Sequence, residues 1–265
     1  MYEFNVAEQT KACVNWIKEW ISKNGNDNTK VVIGISGGKD STVVAALCVE
    51  ALGKDRVFAV QMPCGVQVDI ADSDSIINHL GIKSVCINIG ESYESLTKAI
   101  SEKNIFSIND VYTTNTPARL RMTTLFGVAA LLGNSVVVNT CNRSEDIVGY
   151  STFGGDSFGS FAPICRLTTE EVVAIGKYLG LPQNLVQKIP SDGMSLNEDG
   201  SLKGDEQKLG VSYNEINQII RKAEETENFD KIINLYKRSK FKIDIIRLPC
   251  YEPNLPDYFM ENFGL

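Results

Sequence analysis

A chain of 265 residues is expected to form one large α/β domain, being too short for that domain plus a second catalytic domain of comparable size. With 43% hydrophobic residues, 22% charged residues and 8 prolines it has the composition of a globular protein that buries a core, which excludes a chain dominated by disorder. A net charge of -7 argues against a nucleic-acid partner, and the lack of a run of about 18 apolar residues argues against a membrane span, so the expected location is cytoplasmic.

In chain order, the first periodic stretch opens after Asn5, where Val6, Cys13, Val14, Trp16, Ile17, Trp20 and Ile21 recur at helical spacing up to a stop at Gly25. Lys30–Ile35 is rich in β-branched residues and reads as a buried strand. It runs into SGGKDS, after which Thr42–Leu52 reads as a helix closed by Gly53. The alternation repeats with strand Val57–Met62, helix Ile70–Leu80, strand Ser84–Ile89 and a helix near Tyr93–Ser101. A linker, Glu102–Thr114, leads to helix Ala118–Leu132 and to a fourth strand, Ser135–Thr140. Strands alternating with helices predict right-handed crossovers and an α/β fold with a doubly wound parallel sheet and helices on both faces. Such sheets bind ligands at the carboxyl ends of their strands.

Beyond Thr140 the segment STFGGDSFGSF is too rich in Gly and Ser for a regular element and reads as a loop. Thr168 and Glu171 form a capping-box pattern that opens a helix ending near Gly180. Ser191–Asp205 reads as a second polar loop, followed by helices at about Asn214–Glu224 and Phe229–Ser239. The seven cysteines stand singly, with no CxxC pair, and read as reduced thiols mostly in the core. The one histidine, His79, falls late in a helix and reads as structural.

The SGGKDS turn joins a strand to a helix, where unpaired amides and the helix dipole form an anion site. Gly37 and Gly38 let backbone approach a phosphate, and Ser36, Ser41 and Thr42 offer hydroxyls. The segment matches neither GxxxxGK[ST] nor GxGxxG. A carboxylate at a phosphate site implies a cation between them, so Asp40 points to magnesium. On local physics an ordinary strand-to-helix turn with Asp40 in the first helical turn competes with that reading.

The segment is similar to the SGGxDS loop of the ATP pyrophosphatase superfamily, whose adenine nucleotide alpha hydrolase-like members cleave ATP between its α and β phosphates. Within that superfamily the chain resembles the ammonia-dependent NAD synthetases from about Thr29 to Tyr213. The resemblance is carried in family order by FAVQMPCGVQ with Gln67, ARLRMTTLFGVA with Arg119 and Arg121, VVVNTCNRSE with Thr140 and Glu145, GYSTFGGDSFG, and PSDG followed by DEQKLGVSY. It implies a single synthetase domain over 1–265, with an ATP pyrophosphatase core at about 29–190 and a helical and lid region at about 191–265. It further implies a homodimer that converts deamido-NAD, ATP and ammonia to NAD, AMP and pyrophosphate through an adenylated nicotinate.

By the same correspondence Gly34, Ile35, Ser36, Gly37, Gly38, Lys39, Asp40, Ser41, Thr140 and Ser191 would contact ATP. Arg119 and Gln67 would contact the dinucleotide, and Asp40 and Glu145 would share magnesium. Read from the residues alone, Glu145 is equally a solvated side chain in a first helical turn, and Arg119 an ordinary surface arginine. The chain departs from the family pattern at Gln61, Phe153, Ser160 and Thr169, and Lys240 and Lys242 stand where a His-Lys pair is typical. The competing readings are another adenylating member of the superfamily, acting on a carbonyl such as that of a tRNA base, and a nucleotide-binding regulatory protein. The acidic balance and lack of CxxC count against the first, and retention of Asp40 with Glu145 against the second.

Overall fold

The computed structural model of the chain describes residues 3–188, 191–196, 199, 202–222, 226–245 and 248–263, with 191–196, 202–203, 244–245 and 261–263 described by backbone alone. In order, the elements are α1 (Val6–Asn24), β1 (Lys30–Gly34), α2 (Lys39–Leu52), β2 (Val57–Gln61), α3 (Ile70–Leu80), β3 (Lys83–Cys86), α4 (Gly90–Ser101), α5 (Asp110–Leu132), β4 (Ser135–Val137) and α6 (Arg143–Val148). There follow α7 (Thr169–Tyr178), α8 (Gln183–Val186), β5 (Ser191–Leu196), β6 (Leu202–Gly204), α9 (Asp205–Leu209), α10 (Tyr213–Lys222), α11 (Phe229–Ile245) and α12 (Tyr258–Phe263).

The first four strands form one parallel sheet in the order β3-β2-β1-β4, in register from Val31 opposite Val57 and Val136. Alternation along each strand decides which layer a residue joins. Val31, Ile33 and Ala59 pack under Cys13, Ile17 and Ile21 of α1 and the apolar side of α2 and α7. Val32, Val60 and Val137 pack on Met122, Leu125 and Ala129 of α5. This is the doubly wound sheet with helices on both faces that the alternation predicts. A third apolar cluster joins Ile147 and Val148 of α6 to α10, α11 and Phe259 of α12.

The chain winds outward from β1 through β2 to β3, then returns through α4 and α5 to set β4 on the other flank of β1. Its winding reverses between β1 and β4, and a crevice opens beyond the carboxyl ends of those two strands.

Several boundaries differ from the sequence reading. The second helix starts at Lys39, because Gly38 takes the N-cap position, so Lys39 and Asp40 form its first turn. The last five residues of the expected linker 102–114 are helical: Asn109 caps α5 by accepting from the Tyr112 amide at 3.0 Å, and the helix continues through Pro117. Packing of Met122 and Leu125 on the sheet outweighs the hydrogen bond that a mid-helix proline forfeits. The expected polar loop 191–205 contains an antiparallel hairpin, β5 with β6. Three cysteines are buried, three are partly exposed, and Cys86 is exposed on the edge strand β3.

Candidate active site

The crevice between β1 and β4 deepens into a cavity of about 580 Å³. Its floor is the 34–41 segment, apart from Gly37, together with Val138–Cys141, and its walls include Gln67, Asp69, Arg121, Glu145, Tyr150, Lys188, Asp205 and Lys242. The phosphate-loop segment is held in shape by its own side chains. The Ser36 and Ser41 hydroxyls lie 3.2 Å apart, the Gly38 amide donates to Ser36 Oγ at 3.2 Å, and Ser41 Oγ donates to the Gly38 carbonyl at 3.2 Å. Gly37 adopts φ +80, and a Cβ there would stand 2.8 Å from the Ser73 amide nitrogen, so both conformation and space demand glycine. The first-turn amides of α2, which have no acceptor within the helix, open toward the crevice.

Asp40 arrives from the end of β1 and Glu145 from the end of β4, and a small network joins them. Asn142 caps α6 by accepting from the Glu145 amide, Glu145 Oε2 accepts in return from the Asn142 amide at 3.2 Å, and Asn142 Nδ2 donates to Asp40 Oδ1 at 3.0 Å. Lys39 Nζ lies 2.7 Å from Asp40 and 3.8 Å from Glu145, almost fully buried and 5.6 Å from the centre of the Tyr213 ring. Burial and the Asp40 charge push the Glu145 carboxyl well above the usual carboxylate range, against the pull of Lys39. Burial opposes charge on Lys39, but Asp40 and Glu145 outweigh it and hold its pKa above that of an ordinary lysine.

The raised Glu145 pKa marks a site with more acidic groups than its one buried ammonium can balance, beside a row of amide donors. That donor set fits magnesium, which commonly takes one or two carboxylates and completes its shell with water and phosphate oxygens. Among the described residues no group of three or more His, Cys, Asp or Glu side chains could by itself hold a metal.

The other residues singled out from the sequence fall in three places. Gln67 lines the cavity with its amide 2.9 Å from Asp69, and Thr140 lines the floor. Arg119 is exposed and donates to the Phe153 carbonyl at 3.1 Å, whereas Arg121, two residues on, lines the cavity and donates to the Met62 carbonyl at 3.0 Å. The side chain of Ser191 lies outside the described residues. His79 is exposed in the last turn of α3.

The departures have local partners. Gln61 is buried against Ser73 and Asp74, Ser160 Oγ accepts from the Val137 amide, and Thr169 Oγ1 donates to Asn142. Phe153 packs edge-on against Phe158 at 6.0 Å and beside Phe241 at 6.3 Å. Lys242 Nζ reaches the carbonyls of Gly149 and Ser151 and lines the cavity. The sequence reading passed over Asn142, although the N-x-x-E spacing of NRSE is a readable capping box. It also passed over Tyr150 and Asp205, which pair at 2.7 Å in the cavity wall and carry no local signal.

The NAD synthase family model matches residues 9–247. This chain belongs to the NAD synthase family. It is 34% identical over 248 residues to the NH3-dependent NAD+ synthetase of Carboxydothermus hydrogenoformans, covering 92% of this chain and 98% of that one. It is 37% identical over 204 residues to the Pyrococcus horikoshii synthetase of the same name, covering 77% and 75%. Among solved structures, the NMN synthetase of Francisella tularensis superimposes with a TM-score of 0.81 at 29% identity, over 96% of this chain and 100% of that one. The NH3-dependent NAD synthetase of Campylobacter jejuni does so with a TM-score of 0.71 at 28% identity, over 94% and 100%. The family is the one that the five sequence stretches resemble. Among the described residues no helix is long and apolar enough to cross a membrane.

Proposed function

We propose that the chain joins ammonia to the nicotinate carboxylate of deamido-NAD with consumption of ATP, releasing NAD, AMP and pyrophosphate. The observation that carries this reading is the pairing of Asp40 with Glu145 across the reversal between β1 and β4, beside the open amides of α2. Such a site can hold a polyphosphate and balance its charge, which is most of what phosphoryl transfer asks of a protein.

In the reaction, first-turn amides of α2 and the Ser36 and Ser41 hydroxyls hold the phosphates, with Thr140 and Ser191 against ATP. Lys39 contributes fixed positive charge. A nicotinate carboxylate oxygen attacks the α phosphorus, the bond to the β-phosphate oxygen breaks, and pyrophosphate leaves. Ammonia then attacks the acyl carbon, AMP departs, and the nitrogen loses a proton to give the amide. Magnesium, held by Asp40, Glu145 and phosphate oxygens, would neutralise charge on the phosphates. Gln67 and Arg119 are assigned to the dinucleotide by family correspondence.

The same reading includes a homodimer. Ile105, Phe106, Val111, Phe126 and Leu131 are all exposed around α4 and α5, an apolar surface suited to a second copy. The deciding experiment incubates the chain with ATP, magnesium, ammonium and deamido-NAD and measures NAD, AMP and pyrophosphate in equal amounts. AMP and pyrophosphate without NAD would reject the assignment.

A second acceptor is favoured by the TM-score of 0.81 to an NMN synthetase. On that reading the nicotinate is presented as its mononucleotide, and the chemistry at Asp40 and Glu145 is unchanged. Ratios of kcat/KM for the mononucleotide and deamido-NAD decide between the two.

A further inference from the structure

A second cavity of about 430 Å³ lies behind α6, sharing Asn139, Cys141 and Lys242 with the first. Cys165 and Cys250 both line its wall. The chain reaches Cys165 through a turn just after Ala162, and Ala162 pairs with Cys250 in a parallel bridge in which its amide donates to the Pro249 carbonyl at 2.8 Å. Although 85 positions apart in sequence, the two cysteines line the same cavity, Cys165 three residues past the Ala162 that bridges to Cys250. Cys250 Sγ also lies 3.2 Å from Glu252 Oε1, and Arg166 Nε lies 3.3 Å from that same oxygen. Both cysteines are partly exposed, unlike Cys13, Cys48 and Cys141, which are buried.

We propose that Cys165 and Cys250 form a two-thiol modification site that hydroperoxides close to a disulfide, with Cys250 as the attacking sulfur and Cys165 as the resolving one. Glu252 is placed to accept the Cys250 proton, and the Arg166 guanidinium offsets the negative charge that results. The neighbouring Cys165 holds the Cys250 pKa below that of an ordinary thiol, against burial and the Glu252 carboxylate, with a smaller lowering contribution from Arg166.

In the first step the Cys250 thiolate attacks the nearer peroxide oxygen, the O–O bond breaks, and the alkoxide takes up a proton and leaves as an alcohol. In the second, Cys165 sulfur attacks the sulfenic sulfur, its S–H proton passes to the departing hydroxide, and water leaves. Two thiols and one hydroperoxide thus become one disulfide, one alcohol and one water; sulfur loses two electrons and the peroxide gains them. The bond ties the segment around Cys250 to the turn after Phe161 and Ala162, and Phe161 pairs with Val138 and Asn139 of the cavity floor.

The test treats the full chain with a modest excess of hydrogen peroxide, blocks remaining thiols by alkylation, and digests with trypsin without reduction. Cys165 and Cys250 fall on separate peptides, 144–166 and 248–265, each with no other cysteine. Expected are a cross-linked pair two hydrogens lighter than the sum, a fall from seven free thiols to five per chain, and reversal by dithiothreitol. Cys165→Ser should remove the cross-link and leave Cys250 as a sulfenic acid captured by dimedone; Cys250→Ser should remove the cross-link and leave Cys165 unlabelled. The proposal is overturned if oxidation is confined to the exposed Cys86, if no 165–250 cross-link forms, or if dimedone labels Cys165 and not Cys250. Because serine is close in size to cysteine, both variants are expected to keep the wild-type circular dichroism.

Discussion

Asp40 and Glu145 each carry a charge that neither strand nor helix needs for its own formation, so removing either tests chemistry more than folding. Asp40→Asn and Glu145→Gln keep the size of the side chain and its place near Asn142. Each group is assigned to phosphate neutralisation, a contribution commonly worth ~3 kcal/mol or more, so pyrophosphate release should fall at least about 100-fold. Release near the wild-type rate by either purified variant would remove that residue from the mechanism. Lys39 is a different case, because it is buried between the two acids and holds them together. Lys39→Met strands two carboxylates without their partner, a situation that costs about 3 to 5 kcal/mol in comparable buried pairs. Urea unfolding of the variant should show that loss in metal-free buffer and a smaller gap with magnesium and ATP, since a ligand that binds only the folded chain stabilises it. Equal stability of Lys39→Met and wild type in metal-free buffer would mean that Lys39 does not hold the acids together.

At the scale of elements, the connection between α8 and β5 is clasped to the start of α3. Lys188 Nζ lies 2.6 Å from both Asp69 and Asp72, and Gln67 donates to Asp69 at 2.9 Å. Burial works to raise the Asp69 pKa, but the hydrogen bonds from Lys188 and Gln67 prevail and hold it below the ordinary carboxylate value. A depressed carboxylate stabilises the fold above its unfolded pKa, near 4, and that contribution fades as pH falls through the lower folded value. Lys188→Met should therefore cost about 1 kcal/mol near neutral pH, and its unfolding curve should converge on that of the wild type below about pH 4. A difference that persisted undiminished into acid would show that the lysine acts by packing instead.

The same scale shows what the sequence could and could not disclose. The parallel sheet was legible because β-branched runs such as Lys30–Gly34 and Val57–Gln61 alternate with capped, amphipathic stretches. The place of SGGKDS in the cavity floor was legible because the segment sits at a strand-to-helix junction at the carboxyl end of β1. Helix α5 was misjudged at its start, since Pro117 signals a break that packing overrides. The β5 and β6 hairpin pairs across polar residues with no apolar alternation to betray it. Asp205 reaches the cavity only because the start of α9 is brought against Tyr150, a long-range placement that no local spacing encodes.

At the scale of the whole molecule, α5 presents two faces with different tasks. Ala118, Met122 and Leu125 line the cavity, whereas Val111, Arg119 and Phe126 are exposed. Arg119 and Phe126, seven residues apart, lie on one stripe of a helix with 3.6 residues per turn, and Val111 is exposed near the helix start. Leu131 is 90% exposed near the end of α5, and Phe106 is 67% exposed in the loop before the helix. An exposed apolar stripe that carries Arg119 fits a two-fold contact in which the arginine of each copy meets the dinucleotide at the interface. Replacing Val111 and Phe126 together by glutamate puts like charges on both sides of such a contact, which a symmetric interface doubles. Sedimentation should then show the chain mass in place of twice that mass. The Michaelis constant for deamido-NAD should rise about tenfold, equivalent to ~1.4 kcal/mol, while that for ATP, proposed to bind at α2 and α6, stays within a factor of about two. Wild-type chain that sediments as a monomer while turning over deamido-NAD at full rate would sever the dimer from the activity and leave the stripe to another partner.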